Sequence, residues 1–195
     1  MTKPFVAVLK ALGCVAAAAV IAVFGVSLIR YGHQQYYSAV YPTKYVEDVT
    51  AASEEFGIAP SLIYAVIHTE SNFEPQVTSS ADAKGLMQIT DETFEWALKR
   101  AGKQEQHTPK DLYDPSVNIR YGVYVLTLLE EQFDNTETVL AAYNAGLGRV
   151  REWLKDPACS ADGKHLDTIP FPETEEYVKR VLDAQKIYQQ LYNIQ

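Results

Sequence analysis

Cysteine is nearly absent from this 195-residue chain; the two present, Cys14 and Cys159, lie far apart, and the first sits inside an apolar run. They cannot act as a disulfide framework, so the fold has to rest on packing. The four histidines, His33, His68, His107 and His165, lack metal-ligand spacing, so neither a metal nor a cofactor is expected. No alternating apolar and polar run marks a strand, no period repeats, and no segment is of low complexity. Acidic residues are missing from the first thirty positions, where the only charges are Lys3, Lys10 and Arg30. The remainder holds 14 of the 17 basic residues against all 25 acidic ones, a formal charge of −11. Such a surface repels nucleic acid, which is excluded as a partner.

The first segment rich in signal is 11–29, A-L-G-C-V-A-A-A-A-V-I-A-V-F-G-V-S-L-I, which carries no charge. As a helix it would run about 28 Å, close to the thickness of the hydrocarbon core of a bilayer. Lys3 and Lys10 precede it and Arg30 closes it, a bias that weakly favours a cytoplasmic N-terminus with the rest outside. A cleaved signal peptide is the competitor. It would usually have a shorter apolar region followed by a small-x-small site, and Leu28-Ile29-Arg30-Tyr31 offers none. Lipidation at Cys14 does not fit either, because the apolar run follows that cysteine. The expectation is a retained single-pass anchor over 1–30, a short interfacial stalk over 31–42 rich in Tyr, Gln and His, and one folded domain over 43–195.

Within that domain every periodic stretch is helical. Thr43 is expected to cap a helix with the stripe Tyr45/Val46, Val49, Ser53 and Phe56, ended by Gly57. Pro60 and Ser61 start the next, with Leu62, Ile63, Val66 and Ile67 on one apolar face. Residues 72–89 have turn chemistry and read as a long functional loop. Thr90 caps Asp91 to Ala101, Gly102 stops it, and 102–113 is a polar connector. A longer helix begins at Asp114-Pro115, a short one capped by Asn135 or Thr136 reaches Tyr143 before Gly146, and 155–172 is a loop. The last helix starts near Thr174. The fold class is all-α.

On the second helix the apolar spacing leads to Glu70, so a carboxylate arrives on the face that should look inward, in the last helical turn. Burial and the negative end of the helix dipole both disfavour its charged form. A carboxyl group that keeps its proton near neutral pH is suited to general acid work. Position alone also fits a solvated glutamate or half of an ion pair.

Glu70 opens E-S-N-F-E-P; G-L-M-Q follows at Gly85 to Gln88, A-Y-N-A-G at Ala142 to Gly146, and E-T-E-E-Y-V at Glu173 to Val178. Four blocks in this order resemble the catalytic domain of lytic transglycosylases of the soluble-lytic-transglycosylase type, relatives of goose-type lysozyme. The resemblance runs from about Tyr45 to about Leu191. It implies a lysozyme-like helical domain, a peptidoglycan glycan strand as substrate, and Glu70 as the catalytic group. It also implies that Ser79, Gln88, Tyr143, Asn144 and Tyr177 position the substrate or the acid. Met87 would offer an adaptable apolar wall beside the sugars. Without the resemblance Tyr143 and Tyr177 read as core tyrosines, Met87 as half core, and Gly85 and Gly146 as turn glycines.

Only Glu70 is placed by a motif, whereas an ordinary glycoside hydrolase needs two carboxyl groups. Glu74, Asp82 and Asp91 are candidates for the second, each equally natural as a loop or helix-start charge. The resemblance implies a one-carboxylate route in which the substrate supplies its own nucleophiles. A goose-lysozyme-like muramidase that activates water, or an inactive wall-binding or assembly protein, stand as alternatives. A monomer is expected.

Overall fold

The computed structural model describes residues 3–103 and 106–194, with side chains from residue 20 onward. The chain divides into two compact units, Met1–Pro42 and Thr43–Gln195.

The first unit is built on one helix, α1 (Lys3–Val40). The stretch expected to be a stalk thus continues the same helix as far as Val40. His33 and Tyr37 on it and Tyr41 just past its end stack in succession, with ring centroids 4.4 and 6.1 Å apart. No helix among the described residues is long and apolar enough to cross a membrane. The first half of the expected span, 11–19, lies outside the residues whose side chains are described. In its second half Val20, Ile21, Val23, Phe24, Val26, Leu28 and Ile29 are exposed.

The second unit is helical throughout: α2 (Val46–Phe56), α3 (Pro60–Ser71), α4 (Asp91–Ala101), α5 (Pro115–Glu130), α6 (Thr136–Ala145), α7 (Leu147–Trp153) and α8 (Pro172–Tyr192). A short 3-10 turn, Pro109–Tyr113, precedes α5. Among the described residues there is no strand. Two isolated antiparallel bridges, Thr78 with Lys84 and Lys84 with Ile89, brace the loop between α3 and α4.

The helix starts are set by side chains that satisfy free backbone N–H groups. Thr90 accepts from the Thr93 amide, Asp114 from those of Ser116 and Val117, and Asn135 from that of Thr138. Thr43 does not cap α2. The residue before that helix is Tyr45, in a left-handed conformation (φ 57°), and no side chain caps it. Two further boundaries differ from expectation: α6 runs on to Ala145, and α8 starts at Pro172, whose fixed φ suits a first turn. The seven-residue helix α7 was not anticipated at all, since Gly146 and Gly148 bracket its start.

The core is organised around α3. Its residues from Ser61 to Ile67 are all buried, so this helix is enclosed on every side instead of presenting one apolar stripe. It packs on α8 and α2; α8 also meets α6, and α5 lies against α2, α4 and α6. Tyr64 of α3 and Tyr188 of α8 stack at 5.4 Å between ring centroids. A helix held this tightly brings its last turn, with Glu70, to a fixed place in the domain.

Candidate active site

The site begins where α3 ends. Asn72 and Phe73 both adopt left-handed conformations (φ 49° and 65°), which turn the chain sharply out of the helix. Phe73 is then buried against Tyr64 and His68, anchoring the turn. The following loop folds back over the end of α3. Ser71, beside Glu70, donates its hydroxyl to the Leu86 carbonyl at 2.8 Å, which fastens the G-L-M-Q segment next to the carboxylate.

Asn118 of α5 holds that segment from the other side. Fully buried, it accepts from the Met87 amide at 2.7 Å and donates to the carbonyls of Lys84 (2.9 Å) and Leu112 (2.8 Å). Gly85 has φ +75°, and a Cβ there would overlap the Leu112 carbonyl oxygen and the Asn118 amide. Glycine is therefore required by the close approach as well as by the backbone conformation. Met87 has no exposed surface, and its sulfur packs where a side chain on Gly122 would stand. The expected apolar wall beside the sugars is thus not formed by Met87. Its side chain fills the core, and its carbonyl takes the Tyr143 hydroxyl at 2.8 Å.

Glu70 opens on a cleft of about 310 Å³ that Ser79, Gln88, Tyr143, Asn144 and Glu173 also line. Its side chain is half-buried by exposed surface yet closely surrounded by protein atoms. Burial raises its pKa from 4.5 to about 7; the Tyr177 hydroxyl and the Arg180 guanidinium pull the other way, with less effect. Tyr177 is buried on α8, and its hydroxyl makes no hydrogen bond within 3.5 Å, so its approach to the carboxyl is looser than a full bond. Burial and the nearby Glu70 hold the phenols of Tyr143 and Tyr177 well above the ordinary tyrosine range. Both stay neutral beside the acid.

The remaining site residues are set by the loop's own hydrogen bonds. Ser79 accepts from the amides of Ala81 and Ala83 and lines the cleft. Gln88 (φ 48°) donates its amide to the carbonyls of Gly85 and Val77, so its side-chain oxygen is the group left for a ligand. Asn144 accepts from the Thr174 hydroxyl at 2.8 Å, linking the A-Y-N-A-G and E-T-E-E-Y-V blocks.

Of the candidates for a second carboxylate, Glu74, Asp82 and Asp91 do not line this cleft. Asp82 and Asp91 are both paired with the buried Lys84, at 2.9 and 2.6 Å. Glu173, in the first turn of α8, does line it and is exposed. Sequence reasoning passed over Ser71, Asn118, Thr174 and Glu173. The first, third and fourth stand inside the motif blocks and were legible there; Asn118 carries no local signal.

A family model described as Transglycosylase SLT domain matches residues 47–165, more than half of the chain. Among curated relatives, the soluble lytic murein transglycosylase of Salmonella typhimurium is 36% identical over 150 residues, covering 76% of this chain and 23% of that protein. The membrane-bound lytic murein transglycosylase C of Yersinia enterocolitica is 32% identical over 166 residues, covering 74% and 46% respectively. The crystal structure of the 70 kDa soluble lytic transglycosylase of Escherichia coli superposes with a TM-score of 0.71 at 32% identity, covering 80% of this chain and 26% of that one. The chain thus spans less than half the length of each of these relatives. The family model covers more than half of the chain, and the chain belongs to the Transglycosylase SLT domain family.

Proposed function

We propose that this chain is a membrane-anchored lytic transglycosylase that cleaves the β-1,4 bond between N-acetylmuramic acid and N-acetylglucosamine in peptidoglycan without consuming water. The observation that carries this reading is the Glu70 carboxyl, which lines the cleft and whose pKa burial raises to about 7. Its proton passes to the glycosidic oxygen as the bond to the muramyl C1 breaks. The muramyl N-acetyl oxygen stabilises the positive charge that develops at C1. Glu70, now a carboxylate, takes the proton of the same sugar's 6-hydroxyl, and O6 closes onto C1 to give a 1,6-anhydro end. One group used as acid and then as base is served by a pKa between the two tasks.

Glu173 supports a second reading, hydrolysis with water activated by a carboxylate across the cleft. The masses of the products from digested peptidoglycan separate the two. Anhydromuropeptides one water lighter than hydrolysis products are expected, and reducing-end muramyl products alone would remove the transglycosylase reading.

Anchoring is supported by the charge-free run 11–29 between Lys10 and Arg30, and by the exposed apolar side chains on the second half of that run. The catalytic unit then stands outside the membrane, on the side of the wall. Mass determination of the protein extracted from membranes is expected to return an N-terminus before residue 11. A mature chain that begins beyond residue 30 would end the anchor proposal.

A further inference from the structure

Past Tyr143 the cleft opens into a second chamber of about 360 Å³. The two share Thr93, Val125 and Tyr143, so a polymer lying in one can continue into the other. Glu92, Thr93 and Trp96, within two turns of α4, form one wall of this chamber, and the start of α7 from Gly146 to Gly148 contributes to its lining. The buried Val125 and Leu129 give it an apolar base.

Trp96 is the unusual member. It lies off the core stripe of α4, which is Phe94, Ala97 and Leu98, and is half-buried. Trp153, by contrast, packs edge-on against Phe171 at 5.1 Å. No described aromatic ring pairs with Trp96, and among the described residues nothing accepts a hydrogen bond from its indole N–H. A half-exposed indole presents a flat apolar face with a donor at its edge. A pyranose ring is its complement, with C–H groups on its face and hydroxyl and acetamido groups around the rim. Mostly apolar walls with a few polar groups at the mouth are the usual build of a ligand site.

We propose that Trp96 is a stacking platform for a further N-acetylated sugar ring of the glycan, beyond the ring on which Glu70 acts, and that it favours long strands over short fragments. The inference rests on the glycan-cleaving reading above. The chain has two tryptophans, so in the full-length Trp153→Phe protein Trp96 alone reports by its fluorescence. Titration with tri-N-acetylchitotriose is expected to shift and saturate that emission, with no change from N-acetylglucosamine at equal sugar concentration. In the otherwise natural chain, Trp96→Ala is expected to lower kcat/KM on long glycan strands by about tenfold and on tetrasaccharide muropeptides by less than about twofold. The inference is overturned by an emission that ignores a trisaccharide whose binding is measured by calorimetry. It is overturned equally by a Trp96→Ala protein that loses nothing, or that loses the same on long and short substrates. If the natural chain cuts peptidoglycan while either of these results is obtained, only the role of Trp96 falls. If it neither binds nor cuts any glycan, the reading of the whole cleft falls with it.

Discussion

Glu70→Gln is expected to abolish turnover of peptidoglycan while raising the stability of the domain at alkaline pH. General acid and base steps each contribute roughly 10²- to 10⁴-fold, and one residue performing both puts the loss at about 10³-fold or more. Glutamine keeps the shape and a hydrogen-bonding edge but has no proton to transfer. The stability change follows from the raised pKa. The folded state holds the Glu70 proton up to about pH 7, whereas an unfolded glutamate releases it near 4.5. The neutral carboxyl thus contributes its full stability below pH 4.5. That contribution falls as pH rises and is lost above about 7, where a charge must be kept in a poorly hydrated place. After allowance for the solvent reaching a half-buried group, the loss is about 2 to 3 kcal/mol. The two proteins should unfold together at pH 4 and part at pH 8, with the glutamine variant the more stable. A variant that retains a tenth of the natural turnover, or is the less stable at pH 8, would contradict this. The same titration sets the alkaline limb of the activity profile, which should fall away above about pH 7.

The second large effect is expected at Asn118, a buried residue outside the lining of the cleft. Asn118→Ala leaves the Met87 amide and the carbonyls of Lys84 and Leu112 without the partner they now share. Each buried group left unsatisfied costs about 1 to 3 kcal/mol, so the change should destabilise the domain by about 3 to 5 kcal/mol. For a unit of this size that corresponds to a fall in melting temperature of roughly 10 °C. Activity should also drop, because the Met87 carbonyl is the acceptor of the Tyr143 hydroxyl and the loop carries Ser79 and Gln88. A melting point within about 3 °C of the natural chain would show that the loop is held by something else.

Asn118 also shows where sequence reasoning stops. In the run P-S-V-N-I-R-Y it looks like a surface residue of an amphipathic helix; only the approach of a loop about thirty residues upstream adds Met87 and Lys84 to Leu112 as its partners in the core. Met87 fails in the opposite sense. Its motif block suggested a place beside the sugars, but the gap left by Gly122 draws its side chain inward. Glu70 was legible because a helical stripe extrapolates from one turn to the next, and Thr90 and Asn135 because a cap is a local bond between near neighbours. Tyr177 is another case. From its own helix it is a core tyrosine, and its nearness to Glu70 depends on how α8 packs across α3. Helix α7 escaped because seven residues with two glycines near the start give too little periodicity to read. Local chemistry is written in the sequence; the closure of one loop on another helix is not.

The proposed chemistry depends on a single carboxyl keeping its proton at the pH of the cell envelope. The direct test is carbon-detected NMR of the side-chain carboxyl carbons of the full chain, labelled at glutamate and followed across pH, with Glu70→Gln identifying the resonance. A midpoint of about 7 for Glu70 is expected; a midpoint near 4.5, with the resonance otherwise well behaved, would contradict the mechanism at its root.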